Sequence, residues 1–263
     1  MRRASVIEAA IRRDRLVVLA GLLCLTALAW LYLIAMAAGM SGAAMDHGGA
    51  AMAMPEIKPW SALDFVLMFL MWAIMMVGMM VPSAAPMILL FARVSRQARE
   101  PAGPLAPTSA FVGGYLAAWS GFSLAATGLQ WALEQAALLS PMMVVASPVL
   151  GAVLLIIAGI YQWTPLKHSC LQHCRSPLYF VVGHWRRGTG GAFAMGLHHG
   201  AYCIGCCWFL MALLFVAGVM NLLWIAAIAA FVLLEKIAPW GPQIGRASGV
   251  LLVLAGVALL VQG

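Results

Sequence analysis

The chain has 263 residues, of which 64% are hydrophobic and only 9% charged, whereas soluble domains carry about 25% charged residues. This excludes an ordinary water-soluble protein and makes membrane spans of ~20 residues the natural unit of length. The formal charge is +7, but the basic residues are placed as a topology signal and not as a nucleic-acid footprint.

Seven apolar stretches follow one another, near residues 16–38, 62–82, 110–133, 142–164, 193–217, 220–236 and 244–262. The first follows Arg2, Arg3, Arg12, Arg13 and Arg15 and ends at Ala35-Met36-Ala37, as a secretory signal would. Its apolar run exceeds the ~7–15 residues of a signal core, so it reads as an uncleaved anchor. The second carries Met68, Met71, Met75 and Met79 on one face above Asp64, with Met76 and Met80 flanking. Its pattern continues past Pro82 and Pro86 to about Ala92 as a kinked helix, which a membrane tolerates only where the freed carbonyl finds a partner. Only the short link Gly218–Asn221 divides the fifth stretch from the sixth.

Fourteen of the fifteen Lys and Arg residues fall on alternate sides of this span count, and Lys58 alone falls opposite. The positive-inside rule makes the crowded face cytoplasmic, with the N-terminus inside and the C-terminus outside. The expected fold is therefore all-α, a polytopic transmembrane bundle of about seven spans. Its parts are a basic segment with the first helix (1–38), an external Met/His-containing loop (39–61) and a membrane bundle (62–263) with a cytoplasmic Cys/His loop at 165–192.

Five of the six Cys and five of the six His lie between His168 and Cys207. One half is loop sequence with His168, Cys170, His173 and Cys174. The other is helical and holds His198, His199, Cys203, Cys206 and Cys207. At 3.6 residues per turn, Met195, His199, Cys203 and Cys206 share one stripe that climbs ~16 Å, Cys207 borders it, and His198 points elsewhere. Thioether, imidazole and thiolate are soft donors that suit Cu(I), and Cys with His also suits zinc. The candidate ligands are His199, Cys203 and Cys206, then Cys207, Cys170, Cys174, His168 and His173. The alternative is packing: free Cys is a small apolar residue, and Gly196, Gly200 and Gly205 look like close helix contacts. Thiol redox exchange competes too, although a cytoplasmic loop is a reducing place where stable disulfides are rare.

The external loop contains Met40, Met45, Asp46, His47, Met52 and Met54, which could hold copper in an oxidising compartment or form only a linker. Asp64 and Glu134 read as helix-end acids. Glu235 and Lys236 read as an interfacial anchor, at a depth level with the cluster. The sequence has no H-E-x-x-H, no G-x-S-x-G and no phosphate-binding glycine loop.

Several runs carry a resemblance: Tyr161-Gln162-Trp163-Thr164-Pro165-Leu166-Lys167, Cys170-Leu171-x-x-Cys174-Arg175-Ser176-Pro177 and His199-Gly200-x-Tyr202-Cys203-x-Gly205-Cys206-Cys207-Trp208. Gly218-Val219-Met220-Asn221, Glu235-Lys236, Trp72-x-x-Met75-Met76 and Pro82-Ser83-Ala84-Ala85-Pro86-Met87 add to it. Over roughly residues 60–240 the chain resembles a bacterial family described as predicted metal-binding integral membrane proteins. The resemblance implies a bacterial inner-membrane location and metal binding, and supplies no reaction. Three functions follow as expectations. One is handling or transport of a soft metal, copper before zinc, with a metal-delivering or metal-accepting protein as partner. The others are a membrane metalloenzyme or thiol redox protein, and a structural subunit whose cysteines only pack.

Overall fold

The computed structural model describes residues 2–46, 59–97, 105–140 and 143–262. It is all-helical: ten helices, and among the described residues no strand beyond one isolated bridge between Leu139 and Val145. They are α1 (Arg2–Asp46), α2 (Ala62–Gln97), α3 (Leu105–Gln135), α4 (Pro148–Tyr161), α5 (Pro165–Arg175), α6 (Pro177–His184), α7 (Gly188–Ala212), α8 (Leu214–Ala217), α9 (Leu222–Ile237) and α10 (Gly241–Gln262). The apolar stretches are helical, the fourth only from Pro148 and the fifth as two helices, α7 and α8. Among the described residues, four segments are long and apolar enough to cross a membrane: α1 over Arg15–Gly39, α2, α7 with α8, and α10. The α4–α5 pair makes a fifth if it is one broken span, bent by 64°. Helix α3 is diluted by Gly, Ser, Thr and aromatic residues, and α9 has only 16 residues.

Local chemistry sets the helix ends. Ser61 and Asp64 form a reciprocal cap on α2: Ser61 N donates to the Asp64 carboxylate at 2.9 Å and Asp64 N donates to Ser61 Oγ at 3.2 Å. Asp64 is thus the helix-start acid its position suggests. Helix α2 runs through Pro82 and Pro86 to Gln97. Pro82 removes the donor that Gly78 O would have had, and Trp30 Nε1 from α1 supplies one at 3.3 Å. Glu134 accepts from Trp60 Nε1 at 2.8 Å and from Gln130 Nε2 at 2.9 Å, tying α3 to the chain before α2.

The segment 165–192, expected as a loop, is instead largely helical. Thr164 Oγ1 accepts from Lys167 N and Pro165 occupies the first turn, where its missing donor costs nothing, so α5 starts directly after the α4 corner. Pro177 likewise occupies the first turn of α6, there without a side-chain cap from Ser176. Between α7 and α9 the chain turns at Gly218 (φ +96°), and Asn221 caps α9 through Trp224 N at 3.2 Å.

Helix α3 lies along α7, α10 along α4, and α2 along both α1 and α3, while α5 packs under α7 and α9 against α2. The closest approach is between α3 and α7. A Cβ on Gly196 would run into the Phe111 carbonyl, and one on Gly114 into the backbone at Phe193. The outward faces of α1 and α10 are apolar, with Leu23, Leu31, Leu251 and Val261 all exposed, as a lipid-facing surface would be.

Candidate functional site

Because α7 packs on α3 along its glycine face, the donor stripe turns inward. Met195, His199, Cys203, Cys206 and Cys207 are buried, and His198 is exposed. Cys203 is the hub, with no exposed surface. Its Sγ lies 3.1 Å from the Tyr115 hydroxyl of α3 and accepts from Lys236 Nζ of α9 at 2.9 Å. Lys236 Nζ also donates to Ser83 Oγ of α2 at 2.9 Å. Cys203 interacts further with the thiols of Cys174, Cys206 and Cys207. The last two donate to the Cys203 carbonyl at 3.1 and 3.0 Å, so α7 itself holds them close.

One turn away, His199 is boxed by the rings of Phe111, Tyr115 and Phe180. Its Nδ1 is buried with no hydrogen-bond partner. A polar atom left unpaired in an apolar box is costly, and such an atom suits a partner that arrives later. Met195 Sδ accepts from Arg186 N at 3.3 Å. The methionines of α2 from Met71 to Met80 are buried in the same core cluster as Cys203, Cys206 and Cys207.

The 64° corner after α4 carries α5 back against α7 and divides the donors of the expected loop. Cys174 joins the thiol cluster, interacting with both Cys203 and Cys206. Cys170 packs on Gly205, where a Cβ would come within 2.7 Å of its sulfur. His168 is exposed and paired with Gln172 at 3.2 Å. His173 bonds the Ser169 carbonyl at 2.9 Å and stacks on Tyr202, ring centroids 4.1 Å apart. His47, Met52 and Met54 lie outside the described residues, as do the side chains of Met40, Met45 and Asp46.

Glu235 and Lys236 do not form the interfacial pair that their adjacency suggests. Successive helical residues point about 100° apart. Glu235 pairs with Lys167 at 2.6 Å, both side chains almost fully buried, and Gln162 accepts a further bond from Lys167. Arg175 Nη1 closes this layer on the Glu235 carbonyl at 2.5 Å. Lys236 instead reaches the thiols. Sequence reasoning placed Lys236 level with the cluster but missed its bond to Cys203, and missed Tyr115 and Ser83 as neighbours of the cluster. Two signals were present, the charge of Lys236 at the end of an apolar span and Ser83 between two prolines of one helix, and none marked Tyr115.

Among the described residues, no three His, Cys, Asp or Glu side chains are disposed to hold one metal ion. The arrangement is a set of free thiols gathered around Cys203 with a buried ammonium among them. Chemically it is a soft, monovalent-cation environment. Two thiolates suffice for Cu(I), and thioether and imidazole continue the same series along α7. No curated protein and no solved structure matches the chain. A family model does, over residues 69–259, which takes in every donor from Met71 to Lys236. The chain belongs to the PpoB2 family, described as copper chaperone.

Proposed function

We propose that this protein is a membrane-embedded copper chaperone that carries Cu(I) on the pair Cys203 and Cys174, with Cys206 beside them. Cys207, His199 and Met195 extend the stripe on which the ion moves. The observation that carries this reading is the approach of thiols from two helices, α5 and α7, to Cys203, which itself has no exposed surface. Thiolates select soft Cu(I), and a pair from separate helices can release it when one helix shifts. The ion is cargo here, so no catalytic step is assigned to it.

The bundle sits in a bacterial inner membrane with seven helices crossing and the N-terminus in the cytoplasm. The one-sided arginines and the apolar faces of α1 and α10 support this. A metal-accepting protein then takes the copper, as a chaperone requires.

The test loads the detergent-purified full chain with Cu(I) under reducing conditions and titrates it against a chromogenic chelator. The wild type retains copper and shows thiolate-to-copper charge transfer in the near ultraviolet. Cys203→Ala and Cys174→Ala lose it, Cys170→Ala keeps it, and circular dichroism checks that each stays helical. Retention by Cys203→Ala at wild-type affinity overturns the assignment.

A further inference from the structure

A second group of possible ligands lies outside the thiol cluster, on the face of α7 that the stripe leaves exposed. His198 of α7 and His184 of α6 have ring centroids 5.1 Å apart, and His173 of α5 stands 6.2 Å from His184. Tyr202 lies among them, stacked on His173 and 5.2 Å from His198. Two imidazoles bound to one ion at ~2.0–2.1 Å hold their ring centres at about this separation.

The rings are also held in the right sense. His173 Nδ1 pairs with the Ser169 carbonyl at 2.9 Å, and His184 Nδ1 with the Phe180 carbonyl at 3.2 Å. A carbonyl can only accept, so each Nδ1 carries the proton and each Nε2 keeps its lone pair. That is the outer bond by which metal-ligating histidines are oriented. Beside them is a cavity of about 330 Å³ lined by His184, His198, Met195 and Arg186. Met195 is shared: it stands on the cavity wall and on the buried stripe that leads to His199 and Cys203.

We infer that His184 and His198, with His173 behind them, form a separate imidazole site for a divalent first-row metal ion on the cavity beside α7. Imidazole suits borderline ions, with Cu(II) tightest in the series, whereas the thiols inside suit Cu(I). Arg186 on the same wall opposes a bare dication, which makes the site one for exchange and not for permanent retention.

Co(II) tests this in the full-length protein, because thiolate and imidazole ligation differ in its spectrum. Titration of the reduced wild type should give d–d bands for one equivalent of Co(II) without strong sulfur-to-cobalt charge transfer. His184→Ala and His198→Ala should each weaken that binding by at least about tenfold while leaving Cu(I) retention intact. Cys203→Ala should leave the cobalt signal in place, so the two sites fail or stand separately. Thiolate charge transfer as the main band, or unchanged cobalt affinity in both histidine variants, overturns the proposal.

Discussion

Lys236 Nζ stands 2.9 Å from Cys203 Sγ, with the hydroxyl of Ser83 as its other hydrogen-bond partner at the same distance. The nearby carboxylate, Glu235, is already engaged by Lys167. A Cu(I) ion on two thiolates carries one negative charge overall, and in a buried site such a charge needs a partner. Lys236 makes the loaded site neutral. A Zn(II) ion on the same thiolates is already neutral, and the ammonium would leave it positive.

Lys236→Met should therefore move the preference of the thiol cluster from Cu(I) towards Zn(II) by at least about tenfold, a difference of ~1.4 kcal/mol. Lys236→Arg, which keeps the charge, should hold closer to the wild-type ratio. Competitive loading followed by elemental analysis reads this directly. Equal ratios in all three proteins would remove the charge argument and leave Lys236 a packing residue.

Trp30 and Pro82 make a second test, of stability. Trp30→Phe leaves the Gly78 carbonyl without its donor, an expected loss of about 1–3 kcal/mol. Pro82→Ala restores a backbone N–H four residues on. In the Trp30→Phe background it should recover most of that loss. Thermal melting of the four proteins in one detergent gives the coupling, and additive losses would mean that the indole only packs.

The approach of α3 to α7 gives the third. Gly196→Ala drives a methyl into the Phe111 backbone and should destabilise the bundle by about 1–3 kcal/mol. It should also weaken Cu(I) retention, since Tyr115 and Cys203 face each other across the same seam. Gly121→Ala on α3, where a Cβ would meet nothing within 4 Å, is the control. A melting temperature unchanged by Gly196→Ala would show that the helices lie further apart than described.

Much of this was legible in sequence because it is local. The apolar stretches became helices, α2 passed its prolines, and period alone sent Met195, His199, Cys203 and Cys206 inward while leaving His198 out. What could not be read depends on where one helix lands on another. Cys170 and Cys174 are one turn apart in a short polar segment, and only the corner at Gln162–Thr164 decides which of them reaches Cys203. Lys236 looked like an anchor beside Glu235 because adjacency in sequence says nothing of the 100° between neighbours on a helix. Helix α5 was hidden by its polarity, and α6, which is apolar, by its length of eight residues. Pro165 and Pro177 each mark a first turn.

The absence of exposed surface at Cys203 bears on safety as well as on strength of binding. Free Cu(I) cycles with oxygen and damages whatever is near it. An ion held among Tyr115, Lys236 and the thiols would be insulated from oxygen and from small competing thiols by packed side chains. Its exchange would then be timed by the opening of the helices, on the microsecond-to-second scale of such motions, and not by how tightly sulfur grips copper. Such a carrier can hold its cargo firmly and still give it up on contact with a partner that pries the bundle open.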